Sequence, residues 1–227
     1  MKKTQWFSMI FHFNCLRFIG VIGLISFMGI SCHDDSDDIV GVGGTCGSFT
    51  IPVAAISIDG DISDWNGMQP VFEDAVNDQH PDADFDGTDL HKFYLAKDET
   101  FLYMLITLYD GPPKTDIHTQ YGFQANQSSE FHDTSGDHLA KAGFSRGAWY
   151  AGIHVRSSTV HGGQDIASYP SHYVGTGANF IEWKVLLSDM GTIHDRYVLV
   201  YIHTFEMSST PEEPVNDDSN VCVQLKM

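Results

Sequence analysis

The densest chemistry in the chain lies between residues 78 and 89. Asp82-x-Asp84-x-Asp86-Gly87 sets carboxylates at alternate positions ahead of a glycine, with Asp78 and Asp89 on the same stretch. Alternating acids let one turn of backbone converge several hard oxygens on one ion, and the glycine permits the bend that wraps them. Calcium, which tolerates many oxygen ligands, suits such a cage better than magnesium, which sheds water reluctantly. A helix–loop–helix calcium site would carry a bidentate Glu at the twelfth position, where Phe93 stands. The stretch is therefore read as a calcium loop between strands, with a solvated acidic turn as the competing reading.

Gly143-x-Ser145-x-Gly147 matches the nucleophile-elbow spacing of serine hydrolases. That chemistry needs a strand before the serine and a helix after it. The order expected here is the reverse, which favours a turn of small residues. His118, His132, His138, His154, His161 and His172 are dense enough to raise zinc or copper, but no two share the short rigid spacing of a zinc motif. Flat aromatic rings with polar neighbours are the chemistry of sugar binding. In residues 149–156, Tyr150, His154 and Arg156 alternate with Trp149, Ile153 and Val155. Period two then turns Trp149 and Trp183 inward and leaves Tyr150, Tyr169 and Tyr173, with His154 and Arg156, as ligand-binding candidates.

The elements that must position these groups are strands. Segments 92–96 and 101–108 flank four polar residues suited to a hairpin turn, and the second is apolar at nearly every position, so both its faces need cover. Further strands are expected at 49–58, 122–125, 149–156, 179–187, 197–207 and 221–226. Helical signal is confined to 137–144 and 187–190, and the polar loop 208–220 is expected to project into solvent. Many strands with long polar loops and little helix predict an all-β fold, an antiparallel β-sandwich with jelly-roll or immunoglobulin-like packing of two sheets.

Residues 1–31 read as a lipoprotein signal peptide. Lys2, Lys3 and Arg17 precede the 14-residue apolar run 18–31, too short to span a bilayer core of roughly 30 Å as a helix, and Cys32 follows it as the lipidation site. Residues 32–48, acidic and then glycine-rich, read as a tether, and 49–227 as a single domain. The expected location is the bacterial cell envelope, lipid-anchored at the outer membrane or cell surface. A net charge of −18 disfavours nucleic acid as a partner. In an oxidising compartment Cys46 and Cys222 pair most simply with each other, which would bring the first strand beside the last.

Ile58-Asp59-Gly60-Asp61-Ile62-Ser63-Asp64-Trp65, the acidic loop with Asp74 and Asp78, the hairpin with Asp98 ahead of Leu102-Tyr103, and Phe180-Ile181-Glu182-Trp183-Lys184-Val185 together resemble the family-nine carbohydrate-binding modules and the related DOMON-like domains. The resemblance spans roughly residues 56–200. It implies a non-catalytic β-sandwich with structural calcium, whose relatives bind sugars or, in some branches, haem. The function expected is a lipid-anchored carbohydrate- or glycan-binding domain. The alternatives are a haem-binding electron-transfer domain and a surface adhesion or assembly lipoprotein without a small-molecule ligand.

Overall fold

The computed structural model describes residues 46–77, 87–115, 118–127, 136–157, 163–205, 215–218 and 223–227. Strands dominate these residues. β1 (Gly47–Thr50), β2 (Phe72–Glu73), β3 (Leu90–Lys97), β4 (Phe101–Leu108), β5 (His118–Asn126), β6 (His138–Ser145) and β7 (Ala148–Arg156) are followed by β8 (Gly163–Tyr169), β9 (Val174–Thr176), β10 (Phe180–Leu186), β11 (Tyr197–Phe205), β12 (Val215–Asp218) and β13 (Val223–Lys226). The helical elements described are short 3-10 turns at Ile62–Trp65, Ser171–Tyr173 and Leu187–Met190. Among the described residues no helix is long and apolar enough to cross a membrane.

The strands form the two sheets of an all-β sandwich. One runs β1-β13-β11-β5-β6-β7-β8 with β12 also on β11, and the other runs β2-β3-β4-β10-β9. The second sheet is antiparallel throughout. The first is mixed, because β1 lies parallel to β13 with Gly47 opposite Val223. The first strand thus lies beside the last, and it opens at Gly47, inside the stretch expected as tether.

Between the sheets, alternate residues interdigitate. Leu102, Met104, Ile106 and Leu108 of β4 and Ile181, Trp183 and Val185 of β10 face Tyr121, Phe123, Ala140, Ile153, Val198 and Val200 of the mixed sheet. The Phe93 and Phe123 rings stack with centroids 5.5 Å apart. Each such large apolar side chain contributes about 1.5–3 kcal/mol by leaving water. β4 is buried on its other face too. Tyr103 and Leu105 meet Ile56, Trp65, Ala96 and Phe180 in a second cluster, under the chain that precedes β2.

Two sequence expectations are overturned. Residues 138–145 are strand β6 rather than helix, because Ala140 and Ala142 pack inward while Lys141 and Gly143 face outward between β5 and β7. Part of the 208–220 loop, expected to project into solvent, is β12. It pairs with β11 from Tyr201 to Thr204 through the backbone, which requires no apolar side chain.

Candidate functional site

The outer face of the mixed sheet gathers polar and aromatic groups from four adjacent strands. In β7 the inward residues are Ala151 and Ile153, with Trp149 and Val155 packed against the same core, so Tyr150, Gly152, His154 and Arg156 share the opposite face. Register places Gly143 opposite both Tyr150 and Gln120, and Lys141 opposite Gly152. Gly143 is what allows Tyr150 to lie flat. A Cβ there would stand 2.6 Å from the Tyr150 hydroxyl and 2.7 Å from Cζ, closer than any real contact. The phenol rests one face on the strand, and its oxygen accepts from Gln120 Nε2 at 3.3 Å. Burial pushes the Tyr150 phenol above its ordinary value.

Asp165 enters this face through a β-bulge. Ala167 pairs with Ile153 and packs against the core, so an unbroken strand would aim Asp165, two residues away, inward as well. The register shifts between Ile153 and His154, and Asp165 lands opposite outward-facing His154. An extra residue in one strand re-aims the side chain beside it. Lys141 Nζ donates to Asp165 Oδ1 at 2.8 Å, and His154 Nδ1 lies 3.0 Å from the same oxygen. Burial alone would raise the Asp165 carboxyl, but the Lys141 ammonium and the His154 ring outweigh it and hold it below its ordinary value. The Lys141 side chain is 10 % exposed and Asp165 58 %, so the pair runs from a sunken ammonium to an accessible carboxylate.

Tyr150 and His154 are therefore brought together, and Arg156 continues the same face, with its backbone N–H donating to Asp137 O at 3.0 Å. Tyr169 is not on this face. It sits opposite Ala151 in register, is 8 % exposed in the core, and donates its hydroxyl to Asp189. Tyr173, half-buried, stacks on Tyr169 at 5.1 Å and lies 5.2 Å from Lys184 Nζ, which also sits 4.8 Å above the Phe101 ring. Trp183 is fully buried, and Trp149 is partly buried against the core. No protein-family model, curated protein or solved structure matches this chain.

Of the expected calcium ligands, Asp78, Asp82, Asp84 and Asp86 lie outside the described residues. Asp89 is buried, and its carboxylate accepts the Asn77 N–H at 3.1 Å. Beside it, Asp110 accepts the N–H groups of Thr88 and Asp89, each at 3.2 Å. Among the described residues no cluster of three or more His, Cys, Asp or Glu is arranged to hold a metal. The Gly143-x-Ser145-x-Gly147 motif falls on the β6–β7 hairpin: Ser145 pairs with Ala148, and Arg146 and Gly147 both take positive φ. That is the two-residue turn that matches strand twist, not the strand-to-helix elbow.

Lys141, Asp165 and Gln120 were not legible as site residues. The outward position of Lys141 required β6 to be a strand, and that of Asp165 required the bulge. The alternation Leu139-Ala140-Lys141-Ala142-Gly143 was the available signal for the first.

Proposed function

We propose that the protein is an exported, lipid-anchored, non-catalytic binding domain that holds a carbohydrate on the outer face of its mixed sheet. The observation that carries this reading is the Tyr150 ring lying flat on Gly143 with Gln120, Lys141, His154 and Asp165 around it. A flat ring takes the apolar C–H face of a sugar while flanking polar groups take its hydroxyls. The short likeness of residues 58–65 and 180–185 to family-nine carbohydrate-binding modules supports the same class. Calcium is proposed as a structural ion at Asp78, Asp82, Asp84, Asp86 and Asp89, since an all-carboxylate donor set suits a hard cation. Cys32 is proposed as the lipid site, with the leader and tether delivering the domain to the cell envelope.

The test is a glycan array probed with the folded domain lacking residues 1–31, repeated with Tyr150→Ala. Retention of at least one glycan by the parent and its loss in the variant is the expected result. Binding of none by a protein shown to be folded would end the reading.

A further inference from the structure

The ligand class follows from which atoms of this face remain unused, and this step rests on the carbohydrate reading above. Lys141 and His154 both converge on Asp165 Oδ1. Among the described residues Oδ2 takes no hydrogen bond, and the side chain is 58 % exposed. The Tyr150 oxygen accepts from Gln120, which leaves its own O–H proton to donate. The Lys141 ammonium has three protons and is seen to use one on Asp165. A free acceptor, a free hydroxyl donor and a charge-neutralised ammonium therefore border one flat ring.

We propose that this face selects neutral, hydroxyl-rich sugars over acidic ones: one ligand hydroxyl donates to Asp165 Oδ2, and it or its neighbour accepts from Lys141 Nζ or the Tyr150 O–H. A sugar hydroxyl is both donor and acceptor and fits this set. A uronate keeps ring hydroxyls that could donate to Oδ2, but its carboxylate, like a sulfate, has no proton to give and brings a negative charge beside that oxygen. It also meets an ammonium already paired with Asp165, on a chain of net charge −18. Repulsion between like charges at this face, where Asp165 is the accessible partner, opposes its approach.

Affinity electrophoresis of the domain through gels holding neutral polysaccharides (a β-glucan, a mannan, a galactan) or polyuronates (alginate, polygalacturonate) tests this. The expected result is retardation by at least one neutral polymer and by neither polyuronate. Each checked for an unchanged fold by circular dichroism, Asp165→Asn should weaken it about tenfold or more, the size of one lost hydrogen bond to a charged group, and Tyr150→Phe about threefold or more, the size of one between neutral groups. Tyr150→Phe keeps the ring and Lys141's partner, so its loss of affinity reads the hydroxyl alone. Retardation only by polyuronates would overturn the selectivity while leaving a carbohydrate-binding domain. Neutral binding indifferent to both substitutions would overturn the assignment to this face. Retardation by no polymer would overturn the selectivity proposal, while the glycan array decides the carbohydrate reading separately.

Discussion

The indole N–H of Trp65 donates to Oε2 of Glu182 at 3.0 Å, joining positions 117 residues apart. The other carboxylate oxygen accepts the backbone N–H groups of Asp59 and Gly60 at 3.0 and 2.9 Å. Opposite Glu182 on β9 stands Gly175, where a Cβ would come within 2.6 Å of Oε1 and 2.7 Å of Gly60 N. One fully buried acid therefore pins the 59–65 segment over the outer face of the antiparallel sheet, and that segment covers Tyr103, Leu105 and Phe180.

Removing that acid should cost more than its own hydrogen bonds, because the Trp65 indole N–H is left buried without a partner while the part-buried Asp59 and Gly60 N–H groups lose their acceptor. Glu182→Ala is expected to lower unfolding free energy by about 3 kcal/mol or more, and Trp65→Phe by roughly 2 kcal/mol, measured by urea titration.

The same carboxyl has a pH signature. Burial pushes it above its ordinary value of 4.5, against the pull of Trp65 and the two backbone N–H groups. A group with a raised folded value stabilises the fold below its unfolded value and loses that contribution as pH rises through the folded one. Stability should therefore decline as pH rises from 4.5 into the interval just above it, and Glu182→Gln should lack that component in melts taken across the range.

Gly143→Ala should destabilise the fold by about 1–3 kcal/mol, the cost of forcing a methyl into filled space, by lifting the Tyr150 ring off the strand. If the ring is the binding platform, the same variant loses carbohydrate retention at temperatures where it remains folded. Ser145→Ala, on the hairpin between the same strands, should leave both stability and binding unchanged.

For the proposed calcium loop, Asp84→Ala combined with Asp86→Ala should lower Tm in calcium and erase the difference between calcium and chelator. An unaltered calcium response in scanning calorimetry would remove the ion from the loop.

The parallel pairing of Gly47 with Val223 supports a Cys46–Cys222 disulfide, since each cysteine immediately precedes one of the two paired residues in sequence. Closing a loop of about 175 residues is worth several kcal/mol in the chain-entropy model. Peptide mapping without reductant should find the linked pair, and Cys46→Ser should lower the midpoint of unfolding.

The sandwich was legible where burial forces a local pattern. Leu102 to Leu108 could only be a strand covered on both faces, and the polar turn after Lys97 announced its hairpin, in which Asp98 accepts the N–H groups of Thr100 and Phe101. The alternation in 149–156 placed Tyr150 and His154 together outward. β6 was misread because alanine is the best helix former, and Ala140 and Ala142 carry little apolar contrast against Lys141. Asp165 was invisible because a bulge leaves no periodic trace, and an alternation count carried across it assigns the wrong face. Glu182, next to inward Trp183 on β10, falls by alternation on the opposite face of the strand. That its side would be buried depended on chain 117 residues away, which no window of sequence contains.

The neighbouring of β1 and β13 has a kinetic consequence. Among the described residues the first strand, β1, pairs with β13, so that edge of the mixed sheet cannot close until residues 223–226 have been synthesised. Contacts of such long sequence separation form slowly, on the millisecond-to-second scale of all-β domains. β1 therefore waits without its parallel partner while the strands between them are made, and this seam of the mixed sheet closes late.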